Sequence, residues 1–177
     1  MDFHFKTPRW RIWHVRCRVD RARRVVGPKN PPEFRTTGAT MRRRILLVED
    51  DQHSRNGLEA SLLAEGHGVE GVSDGWQAFR KIKEGIFDLA LVDLELPSVL
   101  GVPVTGWDVV RILRAYSPEI PIIMMSAQED GSIQRLVKRF KVSTFMVKPI
   151  DPASVKSFIR GLDQQVQKAA VVDCSVC

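Results

Sequence analysis

The sequence predicts an α/β fold: a doubly wound sheet of five parallel strands with helices on both faces. Three observations carry this. Short apolar stretches recur five times between residues 45 and 147, and three of them, Ile45–Val48, Leu89–Val92 and Ile122–Met125, are unbroken. The stretches between them carry apolar residues three and four apart, the spacing of one buried helix face. Several of the runs end abruptly in a carboxylate, a hydroxyl or an ammonium group. A strand that is apolar throughout is buried on both faces, as in a parallel sheet covered by crossover helices. Right-handed crossovers then wind such a sheet in both directions.

Each element follows in order. Ile45-Leu46-Leu47-Val48 is the first strand, ending in Glu49-Asp50-Asp51. Residues 52–65 read as a helix with Leu58 and Leu62 inward, closed by Gly66 and Gly68. Val69 and Val72 mark a second strand, ended by Asp74-Gly75. Residues 76–84 form a helix with Ala78, Phe79 and Ile82 inward, stopped by Gly85. Leu89–Val92 is the third strand and ends in Asp93. A long loop from Glu95 to Thr105 follows, and Gly106 opens a helix with Val109, Val110, Ile112 and Leu113 as its apolar stripe. Ser117-Pro118 ends that helix, because the residue before proline disfavours the helical region. Ile120 to Met125 is the fourth strand, ending in Ser126. Ile133, Leu136, Val137 and Phe140 mark the fourth helix, and Val142 to Val147 the fifth strand, ending in Lys148-Pro149. The last helix starts at Asp151-Pro152, with Val155, Phe158, Ile159 and Leu162 inward.

Charge divides the 177 residues unevenly. Residues 1–44 hold 13 Lys/Arg against 3 Asp/Glu, and residues 45–177 hold 14 against 18. The net charge of +6 therefore belongs to the leader and not to the regular region. We expect a basic, disordered leader over 1–42, the folded domain over 43–165 and a tail over 166–177. The leader has three readings: an arm for an acidic partner, with arginines on phosphates and Trp10 and Trp13 on bases; an organellar leader; or an extension upstream of a start at Met41. Nucleic acid is expected as a partner only through this leader. No apolar run reaches the roughly 18–20 residues of a membrane span. Cys17, Cys174 and Cys177 all lie outside the regular region, which fits a reducing, cytoplasmic setting better than a disulfide framework.

In a doubly wound sheet, ligands sit beyond the C-terminal ends of the strands. Those ends bring together Glu49, Asp50 and Asp51, then Asp93, Ser126 and Lys148. Clustered carboxylates repel one another unless a cation joins them, and an all-oxygen set favours Mg²⁺ or Mn²⁺. Metal, lysine and hydroxyl together can neutralise the equatorial oxygens of a transferring phosphoryl group. The nucleophile is then Asp93, the carboxylate at the sheet centre, and the product an aspartyl-phosphate.

Four motifs carry a resemblance: Ile45-Leu46-Leu47-Val48-Glu49-Asp50-Asp51, Leu91-Val92-Asp93-Leu94-Glu95-Leu96-Pro97, Met124-Met125-Ser126-Ala127, and Phe145-Met146-Val147-Lys148-Pro149. In this order, over about residues 43–165, the chain resembles the response-regulator receiver domains of two-component signalling. The resemblance implies a flavodoxin-like sheet of order 2-1-3-4-5. It implies Asp93 as phosphoacceptor and Asp50 as a direct Mg²⁺ ligand. Glu49 acts as a second or water-mediated ligand, and the backbone carbonyl of Glu95 completes the metal set. Asp51 is a third acid there. Ser126 and Lys148 contact the phosphoryl group, and Phe145 is the switch aromatic. The Lys148–Pro149 bond is often cis in that family.

The implied function is a single-domain response regulator in a phosphorelay. It would be phosphorylated by a histidine kinase or histidine phosphotransfer protein and would signal to a downstream protein through the face of its fourth helix, fifth strand and fifth helix. On that fourth helix Gln134, Arg135, Lys138 and Arg139 point outward. The chain would be no metabolic enzyme, catalysing at most its own Mg²⁺-dependent phosphorylation and dephosphorylation. Two features depart from the family. Gly106 follows Pro97 by nine positions, so the loop after Asp93 is longer than usual. Glu95 and Gln128, at positions that tune dephosphorylation, are both polar. Two other functions use similar residues: an unphosphorylated pseudo-receiver that only binds partners, and an aspartate-nucleophile phosphatase of the haloacid-dehalogenase type. The latter needs a second aspartate where this chain has Glu95.

Overall fold

A computed structural model describes residues 41–128 and 131–173. The leader readings, Cys17, Cys174 and Cys177 lie outside these residues. Five strands alternate with five helices: β1 Arg44–Val48, α1 Gln52–Leu63, β2 Gly68–Val72, α2 Gly75–Glu84, β3 Leu89–Asp93, α3 Gly106–Tyr116, β4 Ile122–Ser126, α4 Gly131–Arg139, β5 Thr144–Val147 and α5 Pro152–Asp173. All strand pairs are parallel, and the sheet order is β2-β1-β3-β4-β5. This is the expected architecture and order.

The two-residue period of a strand explains why β1, β3 and β4 read as continuous apolar runs. Leu46, Val48, Ala90, Val92, Ile122 and Met124 point to one face, where α2 and α3 supply Ala78, Ile82, Val109, Val110 and Leu113. Ile45, Leu47, Leu89, Leu91, Ile123 and Met125 point to the other, where α1 and α5 supply Leu58, Leu62, Val155 and Ile159. Every residue of the central strand β3 is buried, so each large side chain there contributes roughly 1.5–3 kcal/mol through burial.

Helix ends follow local chemistry. Asp51, Asp74 and Thr105 cap α1, α2 and α3 by accepting backbone N–H bonds, and Thr105 with Asp108 forms a reciprocal capping box. After α1, Gly66 has φ 87° while the N–H of Gly66 bonds to Leu63 and that of His67 to Leu62. After α4, Lys141 has φ 51° while its N–H bonds to Lys138 and that of Val142 to Val137. Both are the paired reversal that closes a helix through a left-handed residue.

Several boundaries differ from the expected ones, and α1 ends at Leu63, two residues early. Val142 closes α4, so β5 starts later, at Thr144. Ile120 turns back through its N–H to Ser117, so β4 starts at Ile122. The last helix continues past residue 165 to Asp173, through most of the expected tail.

Candidate functional site

The strand ends converge as the topology requires. Glu49 directly follows β1, Asp93 ends β3, Ser126 ends β4, and Lys148 directly follows β5. Glu49, Asp93 and Ser126 are each at most 1% exposed. Lys148 Nζ donates to Glu49 Oε1 at 2.7 Å and to Asp93 Oδ2 at 2.6 Å. The other Asp93 oxygen, Oδ1, accepts the N–H of Glu95 at 3.1 Å. The Lys148 N–H bonds to the Ser126 carbonyl at 2.8 Å, and Ser126 Oγ accepts the N–H of Gln128 at 3.1 Å. The Lys148–Pro149 bond is cis.

Electrostatics follow from burial. Burial pushes the Asp93 and Glu49 carboxyls above their ordinary values, against the opposing pull of Lys148. Burial alone would lower Lys148, but its hydrogen bonds to Asp93 and Glu49 outweigh that and leave it raised. One ammonium thus offsets two buried carboxylates, and Asp50 adds a third on the exposed rim. Carboxylate oxygens of Glu49, Asp50 and Asp93 lie within 4.8 Å of one another. Glu49 Oε2 is buried without a hydrogen-bond partner. A hard divalent cation fits this donor set: it would supply both the missing charge and a partner for that oxygen.

Asp51 stands apart from the cluster. Its side chain accepts the Ser54 N–H at 2.7 Å, and the Ser54 hydrogen bonds hold its carboxyl below the ordinary value. Phe145 is half-buried against the α2–α3 face of the core, and Gln134, Arg135, Lys138 and Arg139 are exposed on α4.

Two supports carry no clear signal in the sequence. Arg55 Nη1 donates to the backbone carbonyls of Glu49 at 2.6 Å and Asp50 at 3.1 Å, bracing the acidic turn. An arginine in a helix gives no hint of that role. Gly106 reads in sequence as a helix start and as the end of a lengthened loop, with no sign of what it packs on. A Cβ there would lie 2.1 Å from the Asp93 carbonyl oxygen, so the returning loop closes directly over the Asp93 backbone. The nine-residue spacing from Pro97 is taken up by a small hairpin. Val99 and Val102 exchange both backbone hydrogen bonds, with Leu100 and Gly101 at φ 52° and 75° between them. Leu100 is 97% exposed, whereas Val104 enters the core against Gly75.

The profile of the response regulator receiver domain matches residues 45–160. Among curated proteins, the chain is 32% identical over 142 residues to the DNA-binding response regulator MtrA of Mycobacterium tuberculosis, covering 77% of this chain and 60% of that protein. It is 30% identical over 121 residues to the transcriptional regulatory protein CusR of Escherichia coli, covering 67% and 50%. The chain thus spans about half to three-fifths of these relatives. A CheY-like receiver domain protein of Methanospirillum hungatei shares the fold, with a TM-score of 0.64 at 24% identity, over 72% of this chain and 99% of that one. The receiver domain of a Pseudomonas aeruginosa sensor histidine kinase, solved with a magnesium ion coordinated in its active site cleft, superposes with a TM-score of 0.58 at 27% identity, over 68% and 96%. Among the described residues no helix is long and apolar enough to cross a membrane.

Proposed function

The chain belongs to the response regulator receiver domain family, and from that premise we propose that Asp93 accepts a phosphoryl group from a histidine kinase or a histidine phosphotransfer protein. The family is one of signalling proteins, not of metabolic enzymes. The observation that carries the reading is the sharing of one Lys148 ammonium between the buried Asp93 and Glu49 carboxylates.

An Asp93 oxygen attacks the phosphorus, a new P–O bond forms, and the P–N bond to the donor imidazole breaks. Lys148 then exchanges its contact with the free carboxylate for one with a phosphoryl oxygen. Ser126 Oγ accepts from Gln128 in the free domain, so its own proton is available to a second phosphoryl oxygen. Glu49, Asp50 and Asp93, with the Glu95 carbonyl, would hold Mg²⁺ or Mn²⁺, which supplies positive charge to the developing phosphoryl oxygens.

The output is a population shift. As Ser126 moves toward the phosphoryl group, Phe145 turns into the space beside it. The face formed by α4, β5 and α5 then changes and is read by a downstream protein. DNA binding is a property named for MtrA. On this chain we assign the output to a protein contact.

The test is intact-mass measurement after incubation with Mg²⁺ and acetyl phosphate. One labile phosphoryl group is expected, absent with EDTA and absent in Asp93→Ala. A protein that stays unmodified under every small donor and every histidine phosphodonor is instead a binding module of the same fold.

A further inference from the structure

We propose that the groove between α2 and α3 is a docking site for an acidic amphipathic helix of a partner protein, a surface separate from the α4–β5–α5 face. Trp76, Tyr116 and Val102 are 47%, 46% and 48% exposed, a large apolar display for one side of a small domain. Phe79 and Ile112 lie half-buried beneath them. Two adjoining hollows share Trp76, Phe79 and Ile112, making one trough that runs from Val102 and Pro103 to Lys83 and Tyr116. Along α2, residues 76 to 84 cover about 12 Å at 1.5 Å per residue, room for about two turns of a bound helix. Apolar troughs with aromatic walls receive helices through residues at i, i+3, i+4 and i+7, and Trp and Tyr are frequent anchors in such contacts.

Charge selects among occupants. Arg80, Lys83 and Arg111 stand exposed around the trough. The acids beside it are Glu84 and Asp108, and Asp108 is engaged by the amide and hydroxyl of Thr105 and paired with Arg111 at 3.6 Å, which leaves Arg80 and Lys83 as the unpaired positive charges of the rim. Among the described residues Arg80 and Lys83 form no ion pair. The chain's own residues 1–44, with 13 Lys/Arg against 3 Asp/Glu, would meet like charge there. A second copy brings the same positive rim and the same concavity, which do not fill each other. A negatively charged, convex helix satisfies both conditions.

The trough also touches the chain that leaves Asp93. Val102 and Pro103 form its end wall, Val104 packs on Gly75 at the start of α2, and Gly106 rests on the Asp93 carbonyl. A partner seated there contacts the same loop that closes over the candidate phosphoacceptor.

The test uses the isotopically labelled full chain and two synthetic peptides. One carries Leu at i, i+3, i+4 and i+7 with Glu elsewhere, and the other has Ser in place of Leu. Amide shifts over Trp76–Lys83 and Arg111–Tyr116 are expected with the first peptide only. Trp76→Ser weakens binding about tenfold or more, as loss of an aromatic anchor does. Arg80→Glu with Lys83→Glu weakens the acidic peptide and favours its Lys-for-Glu analogue. The proposal is overturned if shifts fall only in residues 1–44, if both peptides act alike, if the unaltered chain prefers the Lys analogue, or if Trp76→Ser instead dissolves a dimer of the chain.

Discussion

Lys148 Nζ lies 2.6 Å from Asp93 Oδ2, a carboxylate only 1% exposed, and no second described base shares that contact. Replacing Lys148 by Ala leaves Asp93 and Glu49 buried beside each other without a counter-charge. We expect Lys148→Ala to lose about 2–3 kcal/mol near pH 7 in EDTA, less than a fully enclosed pair would cost, because the lysine side is open to water. Millimolar Mg²⁺ should restore more stability to this variant than to the parent chain. Urea denaturation with and without the metal checks both statements.

Gly75 and Val104 report on the long loop. A Cβ on residue 75 would lie 2.2 Å from Val104 Cγ1. Gly75→Ala is therefore expected to destabilise by about 1–3 kcal/mol through overpacking. Adding Val104→Ala should recover part of that loss. A double-mutant cycle with no coupling would mean that the loop does not dock on α2.

The hairpin tip has a residue that suits it poorly. Both central positions, Leu100 and Gly101, have positive φ, the geometry in which Asn-Gly is favoured. Leu100 is almost wholly exposed and gives up no packing. Leu100→Asn should raise stability by about 0.5–1 kcal/mol, measured as a shift in urea midpoint at unchanged slope.

His67 sets a pH dependence. It is 2% exposed, its Nδ1 accepts the Arg43 N–H at 3.3 Å, and its Nε2 has no partner. Burial holds it below its ordinary value of 6.5, with Glu65 and Asp163 pulling upward and Arg43 downward. A base whose folded value is depressed takes up protons more readily unfolded, so its stability contribution is full above about pH 6.5 and falls as the pH drops below that. The slope from one such group is at most about 1.4 kcal/mol per pH unit. His67→Asn, which keeps an acceptor for Arg43, should flatten stability between pH 7.5 and 5.5.

The centre of the sheet is legible in the sequence because β1, β3 and β4 are covered on both faces. A short run that is apolar at every position, bounded by turn residues, suits a strand buried on both sides. The strand ends are less legible. Val142 and Ile120 are as apolar as strand residues, yet Val142 seals the end of α4, and Ile120 offers its carbonyl to Arg114 at 2.6 Å. Hydropathy cannot separate a strand residue from one packed beneath a helix end. At the candidate site, Glu49, Asp93, Ser126 and Lys148 are legible because strand ends in this architecture share an edge. The brace from Arg55 is not, since it acts on backbone carbonyls that impose no sequence pattern. The loop after Asp93 is visible as extra length, but a Leu-Gly hairpin tip lacks the Asn-Gly signal that would reveal its turn.

Reductive trapping identifies the carboxylate that carries the phosphoryl group. Borohydride reduces an acyl phosphate on aspartate to homoserine, which peptide sequencing by mass spectrometry locates. After phosphorylation in Mg²⁺ and borohydride treatment, Asp93 as phosphoacceptor predicts homoserine at position 93 and nowhere else. Homoserine at position 50 or 51, or stable phosphate on a hydroxyl side chain with position 93 intact, would contradict it.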